Sequence, residues 1–407
     1  GFAMKFQQFT SPLAAKGVED TALYVFNRLT SLNEVGSHPE NFGMSVRAFH
    51  GASADRAARW PHTMLATSTH DNKRSEDVRQ RINVISEMPA AWRLLLRRWN
   101  TINRGARGEI EGAPVPSRND EYLLYQTLLG TYPPEGLQGK ALDEYRGRIE
   151  RYMLKAAREA KRSTSWIRPD EAYEQGLARF VGMLLGGERS SPFLEDLRAQ
   201  ASRLAWFGAL GSLSLALVKF TSPGVPDLYQ GNELLDFSLV DPDNRRPVDY
   251  ALRARVLAEI GGSGAGGAAR ARELAAYLHD GRAKLLVTAR ILALRRDDPA
   301  LFREGAYQPL ESSGEKAAHA LAYARHHEGR RLVVIAGRLF AQLLGEPQGL
   351  PLGVETWSDT AIAVDGLPEG ARLANVLTGE TVVVRGGAIA LAEAFANFPA
   401  AALILEN

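Results

Sequence analysis

The chain has 407 residues, of which 45% are hydrophobic and 24% are charged, and these values exclude a disordered chain. Its 49 basic and 47 acidic side chains leave a formal charge of +2, so no field of one sign is available to hold a nucleic-acid backbone. Cysteine is absent, which excludes disulfides, thiolate nucleophiles and cysteine-ligated metals. A cysteine-free chain fits a reducing compartment, and we expect a cytoplasmic location.

The ends and apolar runs of the chain bear on export and membrane contact. The chain starts at Gly1 without a signal-peptide pattern. Because it does not start with Met, we expect it to be a piece of a longer protein. The longest apolar run covers residues 204–218, which is shorter than the roughly 18 residues that span a bilayer. The run therefore predicts a buried helix and no membrane partner.

The first two zones of the chain differ in pattern. Residues 1–75 mix short apolar runs with Gly and Pro, which predicts short buried strands such as Met64–Thr67 followed by polar loops. Residues 76–205 are rich in Arg, Glu, Leu and Ala at helical spacing, which predicts an all-helical insertion subdomain. The predicted helices are Asp77–Ser86, Ala90–Trp99, Glu121–Leu129, Glu144–Ala160 and Glu171–Leu185.

The last two zones return to strands. Residues 206–305 predict a buried helix ending at Phe220, a short strand near Val225–Tyr229, and helices at Ala251–Glu259 and Ala268–Arg295. The glycine-rich run at 261–267 predicts a flexible loop, because no strand precedes it as a phosphate loop requires. Residues 306–407 predict an antiparallel β-sandwich. Its predicted strands are Ala318–His326, Arg331–Ala336, Thr360–Val364, Glu380–Val384, Ala388–Leu391 and Ala401–Leu405.

A His-Asp pair follows the predicted strand that ends at Thr67. His70 and Asp71 can bind sugar hydroxyls, and the carboxylate can stabilise a developing oxocarbenium charge. Lys73 and Arg74 would keep that carboxylate ionised. The alternative is a helix N-cap formed by Asp71 or Ser75, with acidic residues in the first turn. The spacing alone leaves both interpretations open.

A second polar cluster lies earlier in the chain. Lys16, Glu19 and Asp20 stand together beside a glycine, and paired carboxylates can divide their pKa values between an acid and a base. The alternative is again a capping cluster. Asn33 and Glu34 follow on a predicted loop.

The stretch 221–250 combines Pro, Gly, carboxylates, arginines and aromatic rings, as loops in carbohydrate sites do. The alternative is a self-bonded loop in which Asp241 and Asp243 pair with Arg245 and Arg246. Aromatic rings can stack on the apolar faces of sugars, although any one of them is more often part of a core. The candidates are Tyr24, Phe42, Trp60, Trp166, Tyr173 and Tyr229.

Taken together, these segments resemble the maltooligosyl trehalose synthases of the α-amylase superfamily. The resemblance is spread over nearly the whole chain, which makes chance agreement implausible. The matching strings are AKGVEDTALY (15–24), SLNEVGS (31–37), STHDNKRSEDVR (68–79), NDEYLLYQTLLG (119–130), PGVPDLYQGNELLDFSLVDPDNRRPVDY (223–250) and LRRDDPALFREGAY (294–307).

The resemblance implies an α/β fold, in which the C-terminal part of a (β/α)8 barrel carries a helical insertion and is followed by an antiparallel β-sandwich domain. A full barrel needs about 250 residues, and only two strands, around Ser11–Lys16 and Met64–Thr67, fit ahead of Asp71, with active-site loops beside them in residues 1–75. We therefore expect this chain to be the C-terminal half of the family's enzyme, with the nucleophile and the acid/base outside it.

The resemblance also implies the chemistry and the site. The reaction is an intramolecular transglucosylation that converts the reducing-end α-1,4 bond of a maltooligosaccharide into an α,α-1,1 trehalosyl end, with no metal or organic cofactor. The implied partners are a maltooligosaccharide or glycogen-derived glucan and the N-terminal half of the same enzyme. Asp71, with His70 beside it, is the implied catalytic carboxylate. The implied substrate contacts are Lys16, Glu19, Asp20, Tyr24, Asn33, Glu34, Lys73, Arg74, Trp166, Tyr229 and Glu233.

Two alternatives to this activity remain. One is an ordinary retaining α-glucan hydrolase of the same superfamily, which would release glucose or short maltooligosaccharides. The other is a non-catalytic lobe that binds or stabilises glucan.

Overall fold

The computed structural model describes residues 1–186, 192–261 and 267–406, so residues 262–266 of the glycine-rich run lie outside the described residues. The chain divides into two compact units. The first unit contains Gly1–Phe42, His70–Ala205 and Phe237–Arg246, and the second contains Gly43–Thr69, Trp206–Asp236 and Pro247–Asn407. Each unit is assembled from three separate stretches of chain. The division into four consecutive zones remains a prediction.

The described residues form fifteen α-helices and thirteen strands. The helices are α1 Phe2–Ala14, α2 Val46–Arg59, α3 Glu76–Glu87, α4 Pro89–Ile102, α5 Arg118–Thr131, α6 Gly139–Ala160, α7 Glu171–Leu184, α8 Pro192–Thr221, α9 Tyr250–Gly261, α10 Gly267–Ala276, α11 Arg282–Asp297, α12 Pro299–Arg303, α13 Phe340–Leu344, α14 Gly353–Trp357 and α15 Leu391–Ala394. The strands are β1 Met64–Leu65, β2 Gly108–Ile110, β3 Ala113–Val115, β4 Val225–Pro226, β5 Ala306–Leu310, β6 Ser312–Ser313, β7 Ala320–His327, β8 Arg330–Gly337, β9 Ala361–Ala363, β10 Arg372–Asn375, β11 Thr381–Val383, β12 Ala388–Ala390 and β13 Ala400–Leu405.

The first unit is built mainly from helices. The Ser117 hydroxyl caps α5 by accepting from the amide of Asp120 at 3.1 Å, and Asp170 caps α7 in the same way. The five helices predicted between residues 76 and 205 are confirmed. The prediction that this zone is all-helical is wrong at one place, where β2 and β3 form an antiparallel hairpin. The hairpin turn is Glu111-Gly112, and both residues have positive φ, as a type I′ turn requires.

The prediction of a strand at Ser11–Lys16 is wrong. The structure has α1 up to Ala14 and a π-helical turn at Ala15–Glu19. Leu13, Ala14 and Ala15 favour a helix, and the proline at position 12, which suggested a turn, lies inside the helix.

The prediction that Met64–Thr67 and Val225–Tyr229 contain neighbouring parallel strands is confirmed. β1 and β4 pair in parallel with Met64 opposite Val225, and the Val225 amide donates to the Thr63 carbonyl at 2.9 Å. Gly224 precedes β4 with φ +126°, and a Cβ there would lie 2.9 Å from the Thr63 oxygen, so the close pairing needs glycine. These two strands form a two-stranded sheet in the part of the chain described, and the barrel remains a prediction.

Two sheets occupy the C-terminal part of the second unit. Six antiparallel strands follow the order β11-β10-β13-β8-β7-β5, and three follow the order β12-β9-β6. Ile335 and Leu403 of the larger sheet share a core with Ile362 and Ile389 of the smaller one and with Trp357, all fully buried. The six strands predicted here are confirmed. β5, β6 and β10 were missed because their apolar side chains do not alternate over enough residues.

Two helical predictions in the second unit have different outcomes. The predicted helix Ala268–Arg295 is two helices, because the chain turns at Gly281, which has φ +78°. The helix predicted at residues 204–218 is confirmed as part of α8. α8 is long and apolar enough to cross a membrane by composition, but 78% of its most apolar window is buried inside the protein, as in a core helix.

Candidate active site

The loop that carries Asp71 is held in place by a buried carboxylate of the first unit. Glu34 is 6% exposed. Its Oε1 accepts hydrogen bonds from the Lys73 amide at 2.8 Å and the Val35 amide at 2.9 Å, and its Oε2 accepts from the Arg74 amide at 3.3 Å. Hydrogen bonds to a charged group are among the strong ones. Glu34 therefore fixes the backbone two and three residues beyond Asp71 instead of contacting solvent.

Two lysines converge on one carboxylate beside this loop. Lys16 donates to Asp20 Oδ2 at 2.5 Å, and Lys73 donates to Asp20 Oδ1 at 2.8 Å. Partial burial of Asp20 acts to raise its pKa, but the hydrogen bonds from the two lysines outweigh it, and the pKa of Asp20 is lowered. Asp20 is therefore a carboxylate that stays ionised, and it joins two strings that lie 53 residues apart in sequence.

Asp71 is exposed, and so is His70. The hydrogen bond to Asp20 raises the pKa of Lys16, and the charges of Glu159 and Asp71 add to that rise, so Asp71 acts on the same lysine. The N-cap position of α3 belongs to Ser75, and the first helical turn contains Glu76 and Asp77. The helix begins five residues beyond Asp71, so Asp71 is not its N-cap, and Ser75 holds that position as the capping alternative allowed.

Five residues predicted to contact substrate are buried: Glu34 and Lys73, described above, and Tyr24, Asn33 and Arg74. Tyr24 is 2% exposed and lies under the ammonium of Lys73, 5.6 Å from its ring centroid. Asn33 is fully buried and donates to the Leu23 and Phe26 carbonyls at 2.8 Å. Arg74 is 1% exposed and donates to the Tyr152 hydroxyl at 2.7 Å. Because these side chains already contact backbone carbonyls or other side chains of the protein, we assign them to supporting the site and not to contacting the substrate.

Three predicted contacts of the first unit are at least partly accessible, namely Lys16, Glu19 and Trp166. The side chain of Lys16 is 75% exposed. Glu19 is half-buried and accepts from the Gly36 amide at 3.2 Å. Trp166 is 54% exposed; its indole N–H donates to Glu159 at 3.0 Å and its ring lies 4.8 Å from the Arg158 guanidinium. These residues leave polar groups and one indole face for a ligand.

The loop at 237–246 is self-bonded only in part. Arg245 reaches Asp241 at 3.8 Å and Arg246 reaches Asp243 at 3.1 Å, as the alternative predicts. Shorter contacts come from α6, where Lys155 donates to Asp241 and Arg148 to Asp243, each pair at 2.8 Å. Burial of Asp241 acts to raise its pKa, but Lys155 outweighs this effect and the pKa is lowered. Lys73 contributes to the same lowering.

Sequence reasoning missed Lys155 and Arg148. Both lie on the predicted helix of α6, where a basic residue is ordinarily solvated, and no local signal marks their partners. Sequence spacing also gave no indication that Lys73 lies close enough to Asp241 to act on it electrostatically.

Tyr229 and Glu233 belong to the second unit. Tyr229 is half-buried. Glu233 accepts from Arg253 at 2.9 Å, and the same guanidinium donates to the Gly231 carbonyl at 2.7 Å. Their role as substrate contacts remains a prediction.

The site has the chemistry of a polyhydroxylated ligand site. Carboxylates, ammonium groups and an exposed indole supply hydrogen bonds and one stacking face. Among residues 1–186, 192–261 and 267–406, no group of three or more His, Asp or Glu side chains could hold a metal ion.

The structure predicts a large stability effect at Glu34. Replacing Glu34 by Ala removes the acceptor of three backbone amides, and we expect it to lower the free energy of unfolding by about 2–4 kcal/mol. Glu34→Gln keeps one acceptor oxygen and should cost less. Urea unfolding of the chain measures both. The matched control is Glu40→Ala, an exposed acid for which the expected change is within about 0.5 kcal/mol. Equal effects of Glu34→Ala and Glu40→Ala would contradict the anchoring role.

Comparison with known proteins identifies what the chain resembles. No protein-family model matches it. A protein of Mycobacterium tuberculosis assigned as a maltooligosyl trehalose synthase is 36% identical over 405 residues, covering 100% of this chain and 46% of the relative. The solved maltooligosyltrehalose synthase of Arthrobacter ramosus matches 99% of this chain with a TM-score of 0.79 at 37% identity, and the match covers 46% of that chain. The chain is similar to maltooligosyl trehalose synthases along its whole length.

A third comparison agrees. A solved Sulfolobus tokodaii protein assigned to the same activity matches 99% of this chain with a TM-score of 0.73 at 32% identity, and the match covers 46% of that protein. The resemblance inferred from the sequence strings is thus confirmed, together with a mixed helix-and-sheet fold that contains a multi-stranded antiparallel sheet. The chain spans a little under half the length of these relatives.

Proposed function

We propose that this chain is the C-terminal half of a maltooligosyl trehalose synthase. The observation that carries the proposal is the ion pair between Lys73 and Asp20 at 2.8 Å. It joins the KGVED string to the STHDNKR string, both of which match the family, beside exposed Asp71. The resemblance supports the proposal more strongly because two strings that are separate in sequence meet at one polar site.

The proposed reaction is retaining glycosidase chemistry in which the acceptor is the released glucose instead of water. A covalent glucosyl-enzyme forms, and the anomeric hydroxyl of the freed glucose attacks it to give the α,α-1,1 bond. In this scheme Asp71 stabilises the positive charge that develops at the sugar, with His70 beside it. No metal or organic cofactor is proposed, and a cytoplasmic location is proposed with the activity.

The reducing-end glucose must be held while it turns. Lys16 is the proposed direct contact because its side chain is exposed. Glu19 and Trp166 are proposed as further contacts because both are at least partly exposed. Lys73 is 4% exposed, so it acts through Asp20 by keeping that carboxylate ionised and in position. Tyr24, Asn33, Glu34 and Arg74 support these groups.

The proposed partner is the N-terminal half of the same enzyme. α1 contains no buried residue. Several of its large apolar side chains lie in solvent, among them Phe2 at 84%, Phe9 at 68% and Leu13 at 60% exposure. Exposed apolar clusters of this kind mark interaction surfaces, and relatives about twice as long as this chain supply a matching occupant. The nucleophile and the acid/base are assigned to that half.

A non-catalytic glucan-binding lobe is the second candidate, favoured by the fact that the chain covers 46% of its relatives. It predicts glucan binding without any chemistry even when the N-terminal half is present.

The test is the identity of the product. The complete enzyme, with the N-terminal half joined to this chain, should convert maltopentaose into a sugar with a trehalosyl end and no reducing end. Loss of reducing ends and a proton NMR signal for the α,α-1,1 linkage measure this. Release of glucose or maltose as the main product would instead assign a retaining α-glucan hydrolase, and absence of any product would assign the glucan-binding lobe.

A further inference from the structure

We propose that a small cavity in the second unit, bordered by Arg295 and Arg303, binds the phosphate group of a small metabolite. The cavity has a volume of about 250 Å³. His62 also lines it, and Val225 and Phe302 supply apolar walls. This site uses none of the residues assigned to the transglucosylation, so it stands or fails independently of the proposed function.

The cavity borders an accumulation of positive charge. Arg295 lies close enough to Arg325 and Arg303 for both to act on it electrostatically. Burial, with the charges of these two arginines, lowers the pKa of Arg295 to about 10. Arg325 is 1% exposed. Three guanidinium groups therefore share one region of the unit; Arg325 is buried, Arg295 is half-buried and Arg303 is exposed.

The protein compensates this charge only in part. Arg295 donates to the Phe220 carbonyl at 2.9 Å and the Gly224 carbonyl at 3.3 Å. Arg325 donates to three carbonyls, those of Thr221 at 3.1 Å, Phe302 at 3.0 Å and Gly305 at 2.9 Å. These neutral acceptors satisfy N–H groups without supplying a negative ion. Two of these carbonyls lie at the C-terminal end of α8, where the partial charge is about −0.5. That charge offsets only a fraction of two guanidinium ions.

Carboxylates nearby are already engaged elsewhere. Asp297 pairs with Arg296 at 2.8 Å, and Asp298 pairs with Arg330 at 3.1 Å. Within the described parts of the chain, Arg295, Arg303 and Arg325 have no carboxylate at salt-bridge distance. Buried charges in proteins are ordinarily paired, so an anion from solution is the missing partner.

The chemistry of the lining selects the anion. Guanidinium groups bind phosphate through paired, planar hydrogen bonds, and His62 can add a further donor. The volume is below the roughly 300–1,000 Å³ of drug-sized ligand sites, which restricts the ligand to inorganic phosphate or a phosphorylated monosaccharide. The apolar wall of Phe302 and Val225 suits the ring of such a sugar.

Calorimetric titration of the 407-residue chain with inorganic phosphate, against chloride at equal ionic strength, tests the proposal. We expect phosphate to bind and to raise the thermal midpoint, while chloride does neither. Arg303→Gln removes an exposed lining cation without disturbing packing, and it should weaken phosphate binding about tenfold or more. The matched control is Arg296→Gln, an exposed arginine on α11 that does not line the cavity; its binding should equal that of the unchanged chain.

Further arms identify the source of the phosphate group. Glucose 1-phosphate binding more tightly than inorganic phosphate would assign a sugar phosphate, and equal affinities would assign phosphate alone; both support the site. Equal losses in Arg303→Gln and Arg296→Gln would show a general charge effect and overturn the proposal. Absence of binding by phosphate and by glucose 1-phosphate would overturn it as well.

Discussion

The isolated chain of 407 residues should fold and yet form no trehalosyl ends. Under the proposed function, the nucleophile and the acid/base belong to the N-terminal half, and removing a nucleophile alone lowers turnover by several orders of magnitude. Circular dichroism and cooperative unfolding measure folding, and loss of reducing ends from maltopentaose measures activity. Adding the N-terminal half should restore turnover to the same preparation.

A chain that turns over maltopentaose by itself would contradict this expectation. The acid and the nucleophile would then have to come from Glu19 and Asp20. The lowered pKa of Asp20 suits an ionised nucleophile and not a proton donor, so Glu19 would be the acid. Glu19→Gln and Asp20→Asn in the isolated chain would separate these roles.

In the complete enzyme, Asp71→Asn should lower kcat by roughly 10²–10³, which corresponds to about 2.7–4 kcal/mol. A carboxylate at the reacting sugar stabilises positive charge that exists mainly in the transition state, so its loss affects kcat more than substrate binding. The thermal midpoint should hardly change, because Asp71 is exposed and the N-cap of α3 is Ser75. Turnover and thermal midpoint are measured on one preparation.

The matched control for this variant is Asp143→Asn. Asp143 is an exposed acid of α6 that pairs with Arg146, and its replacement should leave both kcat and the thermal midpoint unchanged. If Asp71→Asn lowers the midpoint by several degrees while kcat holds, Asp71 is a structural residue and the site assignment fails.

Local pattern was enough to predict many elements of this protein. The short apolar runs in β7 and β8 marked two neighbouring strands of the larger sheet. Such runs predict strands that are buried on both faces, and most residues of these two strands are buried. The helical periodicity of α6 and α7 marked those helices, because apolar residues at a period of about 3.6 lie on one face of a helix. Where pattern and structure disagree, as at Ser11–Lys16, a proline suggested a turn, whereas the flanking Leu and Ala residues allowed the helix to continue.

For the candidate site, the sequence identified the residues but did not show which are exposed and which support the others from buried positions. The strings around Asp20, Glu34 and Lys73 were recognisable by type and order. The sequence did not show which of them face solvent. A residue such as Tyr24 or Asn33 reads the same in the sequence whether it contacts a sugar or the interior of the protein. Burial depends on what packs above a side chain, and for Tyr24 that is Lys73, 49 positions away.

The sequence by itself determined that helices and sheets are mixed, the place of most helices and strands, the absence of cysteine chemistry and the resemblance to maltooligosyl trehalose synthases. The tertiary structure alone decided that Lys16 and Lys73 share Asp20, that Glu34 anchors the loop beyond Asp71, and that Lys155 reaches Asp241. The physical reason is range. Periodicity and turn chemistry act over a few residues, whereas these contacts join groups 53, 39 and 86 positions apart, and only the packing of the helices brings such groups within hydrogen-bond distance.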